Sequence, residues 1–350
     1  MYFPPEWHEH AAVWLAWPSH PDLWLDAYRD VQSEVLGLAR AIADCDPATG
    51  QPRGEALHVL ACGSAQVAEA QAALEPLGAT IYDEPFGDIW LRDTGPLFLR
   101  DSLGEPVAIG FRFNGWGGKY LLDHDDSVAE RIALQSGVDF LPHPWTLEGG
   151  AIDHDGEGTL LTTRQCLLNP NRNPDLSQAD IEAKLKSNLG VEQIIWLGDG
   201  LQNDHTDGHV DNLARFVAPG TVVCMEPSGP DDPNREALLE AIATLKAARD
   251  AKGRAIEVLT IPSPGRVEDE EGELMAASYV NFYISNTRVI VPQYGSPFDG
   301  AAVAALQAIA QDLRKVWGDR EVIGLPAKNI LQGGGSFHCI SQQQPFFSHQ

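Results

Sequence analysis

Short apolar runs of strand type alternate with amphipathic helical patterns from one end of this chain to the other, and no other feature narrows the possible folds so far. The runs 12–17, 57–61, 107–113, 158–163, 220–225, 255–261, 279–285 and 288–292 are mostly rich in β-branched or aromatic residues and bounded by Gly, Pro, Asn or Asp. Between them, 22–44, 127–135, 234–252 and 300–317 read as helices. In the last two, Leu238, Ile242 and Leu245 share one face, as do Val303, Leu306, Ile309, Leu313 and Val316. Ser127-Val-Ala-Glu130 fits a capping box, in which each side chain satisfies the other's free backbone donor. The stretches 46–55 and 263–273 carry no periodic apolar face and read as surface loops rather than linkers. The pattern therefore predicts one α/β domain over 1–350, although length alone would suggest about two. Units of about 60 to 70 residues would fit the element spacing, but no internal sequence repeat is strong.

Charge narrows the function. The chain has 24 Lys+Arg against 50 Asp+Glu, a formal charge of −26. Binding nucleic acid requires clustered Lys and Arg to neutralise phosphates, and an anionic membrane surface would repel such a chain, so neither is an expected partner. Small cations are attracted instead. Five cysteines, Cys45, Cys62, Cys166, Cys224 and Cys339, form no C-x-x-C pair and are too scattered for a disulfide framework. They read as reduced thiols in a cytoplasmic protein. The opening residues lack the basic and apolar regions of a signal peptide, and no run of about 18 apolar residues predicts a membrane span.

Four segments could carry chemistry. Asp204-His-Thr-Asp-Gly-His-Val-Asp211 is the densest polar cluster; if extended, its period of two puts His205, Asp207, His209 and Asp211 on one face. That set suits a divalent metal, or general acid–base work on a cation, or a solvated loop. Gln332-Gly-Gly-Gly-Ser-Phe-His-Cys339 sets three glycines, which permit close backbone approach to a ligand, just before a His-Cys pair. A free Cys is more often a small buried hydrophobe than a nucleophile, and the other four cysteines have no polar constellation near them in sequence. Asp88-Ile-Trp-Leu-Arg-Asp-Thr-Gly-Pro96 combines two carboxylates, an Arg and a Trp before a turn, and also fits a structural Arg–Asp pair at a strand end. Leu147-Glu-Gly-Gly150 places a carboxylate before two glycines.

Together with Pro5-Glu-Trp, Phe113-Asn-Gly-Trp-Gly-Gly-Lys119, Leu167-Leu-Asn-Pro-Asn-Arg-Asn-Pro174, Thr206-Asp-Gly-His-Val-Asp-Asn212, Ser278-Tyr-Val-Asn-Phe-Tyr283 and Gly333-Gly-Gly-Ser-Phe-His-Cys-Ile-Ser-Gln-Gln343, these segments occur in family order over nearly the whole chain. So assembled, the sequence resembles the agmatine deiminase family of the guanidine-modifying superfamily. The resemblance implies a five-bladed pseudosymmetric α/β propeller of pentein type with its site in the central channel. It implies no cofactor and no metal, and a small cationic guanidino substrate. It points also to a homo-oligomer, and to hydrolysis of agmatine to N-carbamoylputrescine and ammonia in polyamine biosynthesis or arginine and agmatine catabolism. Carried over by motif position, it makes Cys339 the nucleophile and His209 the general acid/base. Glu148 would orient that His, Asp93 and Asp211 would grip the guanidinium, and Trp90 would line the pocket.

The chemistry accounts for these residue types. Guanidinium is a poor electrophile, so a thiolate suits the attack, and paired carboxylates hold its N–H groups and keep it charged. The thiolate is either preformed as an ion pair with His209 or produced with help from the substrate's own charge. An arginine-type substrate would need a cation for its α-carboxylate, for which Arg112 and Lys119 are in the sequence, whereas the amine of agmatine needs carboxylates or aromatics. A deiminase of peptidyl or free arginine is therefore the nearest alternative. A divalent-metal hydrolase using His205, Asp207, His209 and Asp211, and a polyamine-binding protein without activity, are the alternatives of other classes.

Overall fold

The computed structural model describes residues 1–347. Its strands form five separate small sheets, four of which repeat one unit: an antiparallel pair, a crossover helix, and a third strand parallel to the second. The sixteen strands in chain order are β1 His10–Ala16, β2 Ala56–Ala61, β3 Thr80–Asp83, β4 Leu97–Arg100, β5 Pro106–Arg112, β6 Asp139–Thr146, β7 Ile152–His154, β8 Thr159–Thr163, β9 Gln193–Leu197, β10 Ala214–Ala218, β11 Thr221–Glu226, β12 Glu257–Pro262, β13 Tyr283–Ile284, β14 Arg288–Gln293, β15 Glu321–Pro326 and β16 Gln342–Pro345. The main helices are α1 Tyr28–Ala43, α2 Ser64–Leu74, α3 Val128–Ser136, α4 Gln178–Leu189, α5 Arg235–Ala247 and α6 Asp299–Asp312.

In the repeated unit, β4 and β5 are antiparallel, α3 crosses, and β6 runs parallel to β5; β7-β8-α4-β9, β10-β11-α5-β12 and β13-β14-α6-β15 repeat the connectivity. The fifth copy is made from both ends of the chain. There β16 pairs antiparallel with β1, which after α1 is followed by parallel β2, and α2 then adds β3 as an extra parallel strand. The chain end thus closes the sheet that its beginning opens. Second strands such as β11, buried at Thr221, Val222, Val223, Cys224 and Met225, sit between a helix layer and the interior, and their near-continuous apolar runs follow from that. Helix α1 buries Val31, Val35, Leu38 and Ile42 at the i, i+4, i+7 spacing of a core-facing stripe.

Several expectations are corrected. Residues 22–44 do not form one helix: Leu25 adopts φ 46° and breaks a short first turn, Pro21–Trp24, from α1. Ser127 is helical and spends its hydroxyl on His124 O at 2.9 Å, so no capping box forms there; the capping box is at Ser177 and Asp180 on α4. Of 279–285 only Tyr283–Ile284 is strand, because the preceding residues turn inward to the site. Residues 204–211 are turns ending in a single 3-10 turn, with Asp207 at φ 64°, so His205, Asp207, His209 and Asp211 do not share the face of a strand. Among the described residues, no helix is long and apolar enough to cross a membrane.

Candidate active site

The segment entering the first strand of each unit carries a polar side chain toward one place. Asp93 lies just before β4, Glu148 before β7, His209 and Asp211 before β10, Asn281 before β13 and Cys339 before β16. These residues recur at intervals of about 55 to 70, which is the repeat that the sequence spacing permits and sequence similarity does not reveal. The first of these segments is tied to the last by the backbone: Arg92 N donates to Cys339 O at 3.1 Å.

A cavity of about 680 Å³ is lined by Cys339, Trp90, Asp93, Trp116, Gly335 and residues of the surrounding loops. The Cys339 sulfur accepts from Asn281 Nδ2 at 3.1 Å and its thiol faces Asp211 Oδ2 at 3.6 Å. Burial, then the carboxylates of Asp211 and Asp93, push that thiol well above its ordinary range. Asp93 accepts from the Trp116 indole at 2.8 Å and from Gly150 N at 2.9 Å. Burial raises its carboxyl, His209 opposes, and Asp211 adds to the rise. Burial would raise Asp211 too, yet the hydrogen bond and charge of His338 hold it below the usual carboxylate range. Trp90 donates to Asp88 Oδ2 at 2.8 Å and Trp24 to Asp88 Oδ1 at 3.0 Å, so one buried carboxylate sets two indoles on the cavity wall.

His209 is fully buried, 3.7 Å from Asp93 Oδ1, and neither ring nitrogen has a hydrogen-bond partner among the described residues. Burial disfavours its charge, but Asp93, Cys166 and Glu148 outweigh that and raise the imidazolium well above the ordinary His range. Glu148, equally buried, has Oε1 on Arg172 Nε at 2.6 Å and Oε2 unpartnered among the described residues. Arg172 is held in turn by Asp207 at 2.5 Å and by Thr206 O at 2.7 Å. Gly150 keeps this space open: a Cβ there would lie 2.6 Å from His209 Nδ1 and 2.8 Å from Asp93 Oδ1.

The structure thus brings together all six residues singled out by resemblance, and separates the metal alternative. Asp207 is spent on Lys119 and Arg172, and His205 stands at the cavity mouth beside the Tyr120 hydroxyl, 3.3 Å from its Nδ1. Among the described residues, the group whose ligating atoms lie close enough to share an ion is Glu148, Cys166 and His209, all within 4.8 Å. Cys166 therefore has the polar surroundings that its sequence neighbours do not show. Sequence reasoning gave no role to Asn281, Trp116, His338, Glu6 or Arg172, although each lies inside a quoted motif; no local pattern tells a site amide or indole from a structural one.

A model of the Porphyromonas-type peptidyl-arginine deiminase family matches residues 2–345. The chain belongs to that family. Among its relatives, a protein named agmatine deiminase from Stutzerimonas stutzeri is 41% identical, with 98% of this chain and 95% of the relative covered. The solved agmatine deiminase of Enterococcus faecalis superposes with a TM-score of 0.87 at 35% identity, covering 98% of this chain and 95% of its own. An amidinotransferase from Microseira wollei, at 14% identity and a TM-score of 0.52 over 100% of this chain and 98% of that one, shares the fold alone. Deiminase-family membership and the mixed α/β fold of five small sheets agree with the geometry of the cavity.

Proposed function

We propose that this enzyme hydrolyses agmatine to N-carbamoylputrescine and ammonia through a covalent Cys339 intermediate. The observation that carries the substrate choice is the cavity's charge. Asp26, Asp30, Asp88, Asp93 and Glu270 line it, and among the described residues no Lys or Arg does. An α-carboxylate would meet only like charge there, whereas agmatine, a dication near neutral pH, is complementary at both ends. Of the two cations named for an α-carboxylate, Lys119 is neutralised by Asp207 at 2.5 Å, and Arg112 turns to Thr146 Oγ1 at 3.0 Å. The relatives named agmatine deiminase support the same substrate.

In this reading the guanidinium lies between Asp93 and Asp211. The free-enzyme thiol is neutral, because two buried carboxylates oppose a thiolate; a bound cation removes that opposition, and the thiol proton leaves to water. The thiolate adds to the guanidinium carbon. His209, cationic in the free enzyme, protonates one amino group, the C–N bond breaks and ammonia departs, leaving an S-alkylthiouronium and neutral His209. His209 then takes a proton from water as it adds to that carbon, and collapse breaks the C–S bond, the hydroxyl proton passing to the departing Cys339 sulfur as the urea forms, which restores the neutral thiol and cationic His209. Glu148 faces the imidazole across less than 4.8 Å and favours its charged form. Trp90 and Trp116 wall the cation's path.

The same reading takes the described residues, 1–347, as one five-bladed propeller with the cavity on its axis; the last three residues of the expected domain 1–350 lie outside the described residues. It is supported by the five alike-connected sheets, the closure of β16 on β1, and the delivery of one site segment by each unit. The test is ammonia release from agmatine, arginine and a blocked arginyl peptide, by wild type and Cys339→Ala, with and without chelator. Release from agmatine alone, lost in Cys339→Ala and unaffected by chelator, is expected. No release from agmatine, or turnover by the variant, overturns the mechanism.

A further inference from the structure

We propose that His338 is a positioning residue for substrate capture, an imidazolium clamped between Asp211 and Glu6 that leaves Asp211 Oδ1 as the oxygen presented to the guanidinium. The proposal rests on the reading above. Both ring nitrogens of His338 face carboxylate oxygens: Nδ1 lies 2.8 Å from Asp211 Oδ2, and Nε2 lies 2.9 Å from Glu6 Oε2. An ionised carboxylate only accepts, and a neutral imidazole donates from one nitrogen only, so satisfying both contacts takes two N–H groups and a positive ring. Moving the second proton onto a carboxyl is disfavoured at either end. Glu6 already receives the Arg215 guanidinium on the oxygen that faces His338, and Ile284 N at 2.9 Å on the other.

The backbone that carries the ring is held on both sides. His338 N donates to Asn281 Oδ1 at 3.0 Å, and its carbonyl accepts from Arg92 Nε at 3.2 Å. Beyond Glu6, Arg215 Nε reaches Asp153 Oδ2 at 2.6 Å. A buried row of alternating charge results: Asp211, His338, Glu6, Arg215, Asp153. Each member neutralises the next, which is how this many charges stay ionised without water.

For the site the consequence is division of labour within Asp211. Its Oδ2 is occupied by His338 and faces the Cys339 thiol, while Oδ1 is buried and unpartnered among the described residues. The charged or titratable groups facing Asp211 are His338 and Cys339 on the last segment, His209 on its own, Asp93 and Arg92 on the first and Arg215 on β10; those facing His338 are Asp211, Glu6 and Arg92. Of these, His338 is the cation in direct hydrogen-bond contact with Asp211. Without its charge, no cation in hydrogen-bond contact would offset the burial of Asp211, and a carboxyl that took up a proton would hold a guanidinium weakly.

His338→Asn tests this, because its amide retains a donor toward Asp211 and lacks the charge. The expected result is an acid limb of kcat/KM for agmatine moved up by at least one pH unit, with KM raised more than tenfold at pH 6 and kcat changed less. A merely structural role would lower kcat/KM equally at all pH. The second measurement needs no substrate and no variant activity: imidazole 15N signals of wild-type enzyme should show both His338 nitrogens protonated at pH 7. An unmoved acid limb in folded His338→Asn, or a singly protonated ring at pH 7, overturns the proposal. Should wild type release no ammonia from agmatine, the function fails, and the 15N arm still decides the charge of His338. Should His338→Asn not fold, His338→Gln, which keeps the donor toward Glu6, takes its place.

Discussion

Gly150→Ala separates a site glycine from a folding glycine at a single methyl group. Gly150 has no left-handed φ, so alanine brings no backbone strain; what changes is contact. The added Cβ would lie 2.6 Å from His209 Nδ1, 2.8 Å from Asp93 Oδ1 and 3.1 Å from Asp211 Oδ2. All three are buried side chains of the site, and reaching ordinary contact distance forces one or more to retreat by most of an ångström. Overpacking of this kind costs ~1–3 kcal/mol of stability. Displacing reacting groups by ~1 Å costs about a hundredfold in rate, so kcat/KM for agmatine should fall ~10²- to 10³-fold, or about 3–4 kcal/mol of transition-state stabilisation. The neighbouring Gly149→Ala is the contrast: its Cβ meets the Arg92 carbonyl oxygen at 2.1 Å, a backbone atom, so it should fail first in thermal stability. The assay is steady-state ammonia release beside a thermal melt. If folded Gly150→Ala keeps kcat/KM within about threefold of wild type, the guanidinium does not bind between Asp93, His209 and Asp211 as drawn.

Asn281→Ala removes the N–H that meets Cys339 Sγ at 3.1 Å and should lower kcat ~10- to 100-fold while moving thiol alkylation to higher pH; equal alkylation profiles would dismiss the contact. Cys166 is fully buried and its thiol is raised by burial, so Cys166→Ala should keep a substrate-protectable alkylation site, at Cys339; loss of all alkylation would make Cys166 the reactive thiol. Asp125, raised to about 7 chiefly by burial, accepts from Gly87 N at 2.8 Å and pins the loop carrying Trp116 to the segment carrying Asp93. A raised carboxyl holds its proton longer folded than unfolded, so it costs stability as pH climbs from about 4 through 7, by up to ~4 kcal/mol. Asp125→Asn should therefore raise the melting temperature at pH 8 and not at pH 4; a pH-independent shift contradicts this.

The sequence legibly carries the second strands and the helices that cover them, since those are buried on both sides or along one stripe and must be apolar at fixed periods. It hides β16, Gln342–Pro345, whose glutamines show no alternation although Gln342 and Gln343 are buried. That strand is specified by its backbone pairing with β1 and by Trp14 Nε1 donating to Gln344 Oε1 at 2.9 Å, across 330 residues. Helix α2 is hidden for the opposite reason: its alanines offer no contrast between faces. The site shows the same division. Cys339, His209, Asp93, Asp211, Glu148 and Trp90 were legible through motifs, because their chemistry demands their types. His338 and Glu6 were not, because a clamp defined by partners 127 and 332 residues away has no local spacing. The string His205, Asp207, His209, Asp211 misleads for a related reason: the turn at Asp207, with φ 64°, sends Asp207 outward to Lys119 and Arg172.

Whether the charge of −26 acts on catalysis follows from where carboxylates stand rather than from their sum. Asp93 and Asp211 are buried and desolvated, so their hold on the guanidinium is insensitive to salt. Asp26, Asp30 and Glu270 line the mouth of the same cavity and are solvated, so any field they add to the general negative surface is screened. The Debye length falls from ~30 Å at 0.01 M salt to ~10 Å at 0.1 M, which takes a dication beyond reach of most of the surface but not of the mouth. Raising salt over that range should therefore raise KM for agmatine several-fold and leave kcat unchanged, and Asp26→Asn with Asp30→Asn should flatten part of the dependence. A salt effect on kcat would place the screened charges in the chemical step. A flat KM would mean that agmatine is held by the buried pair alone, and that the remaining carboxylates serve solubility.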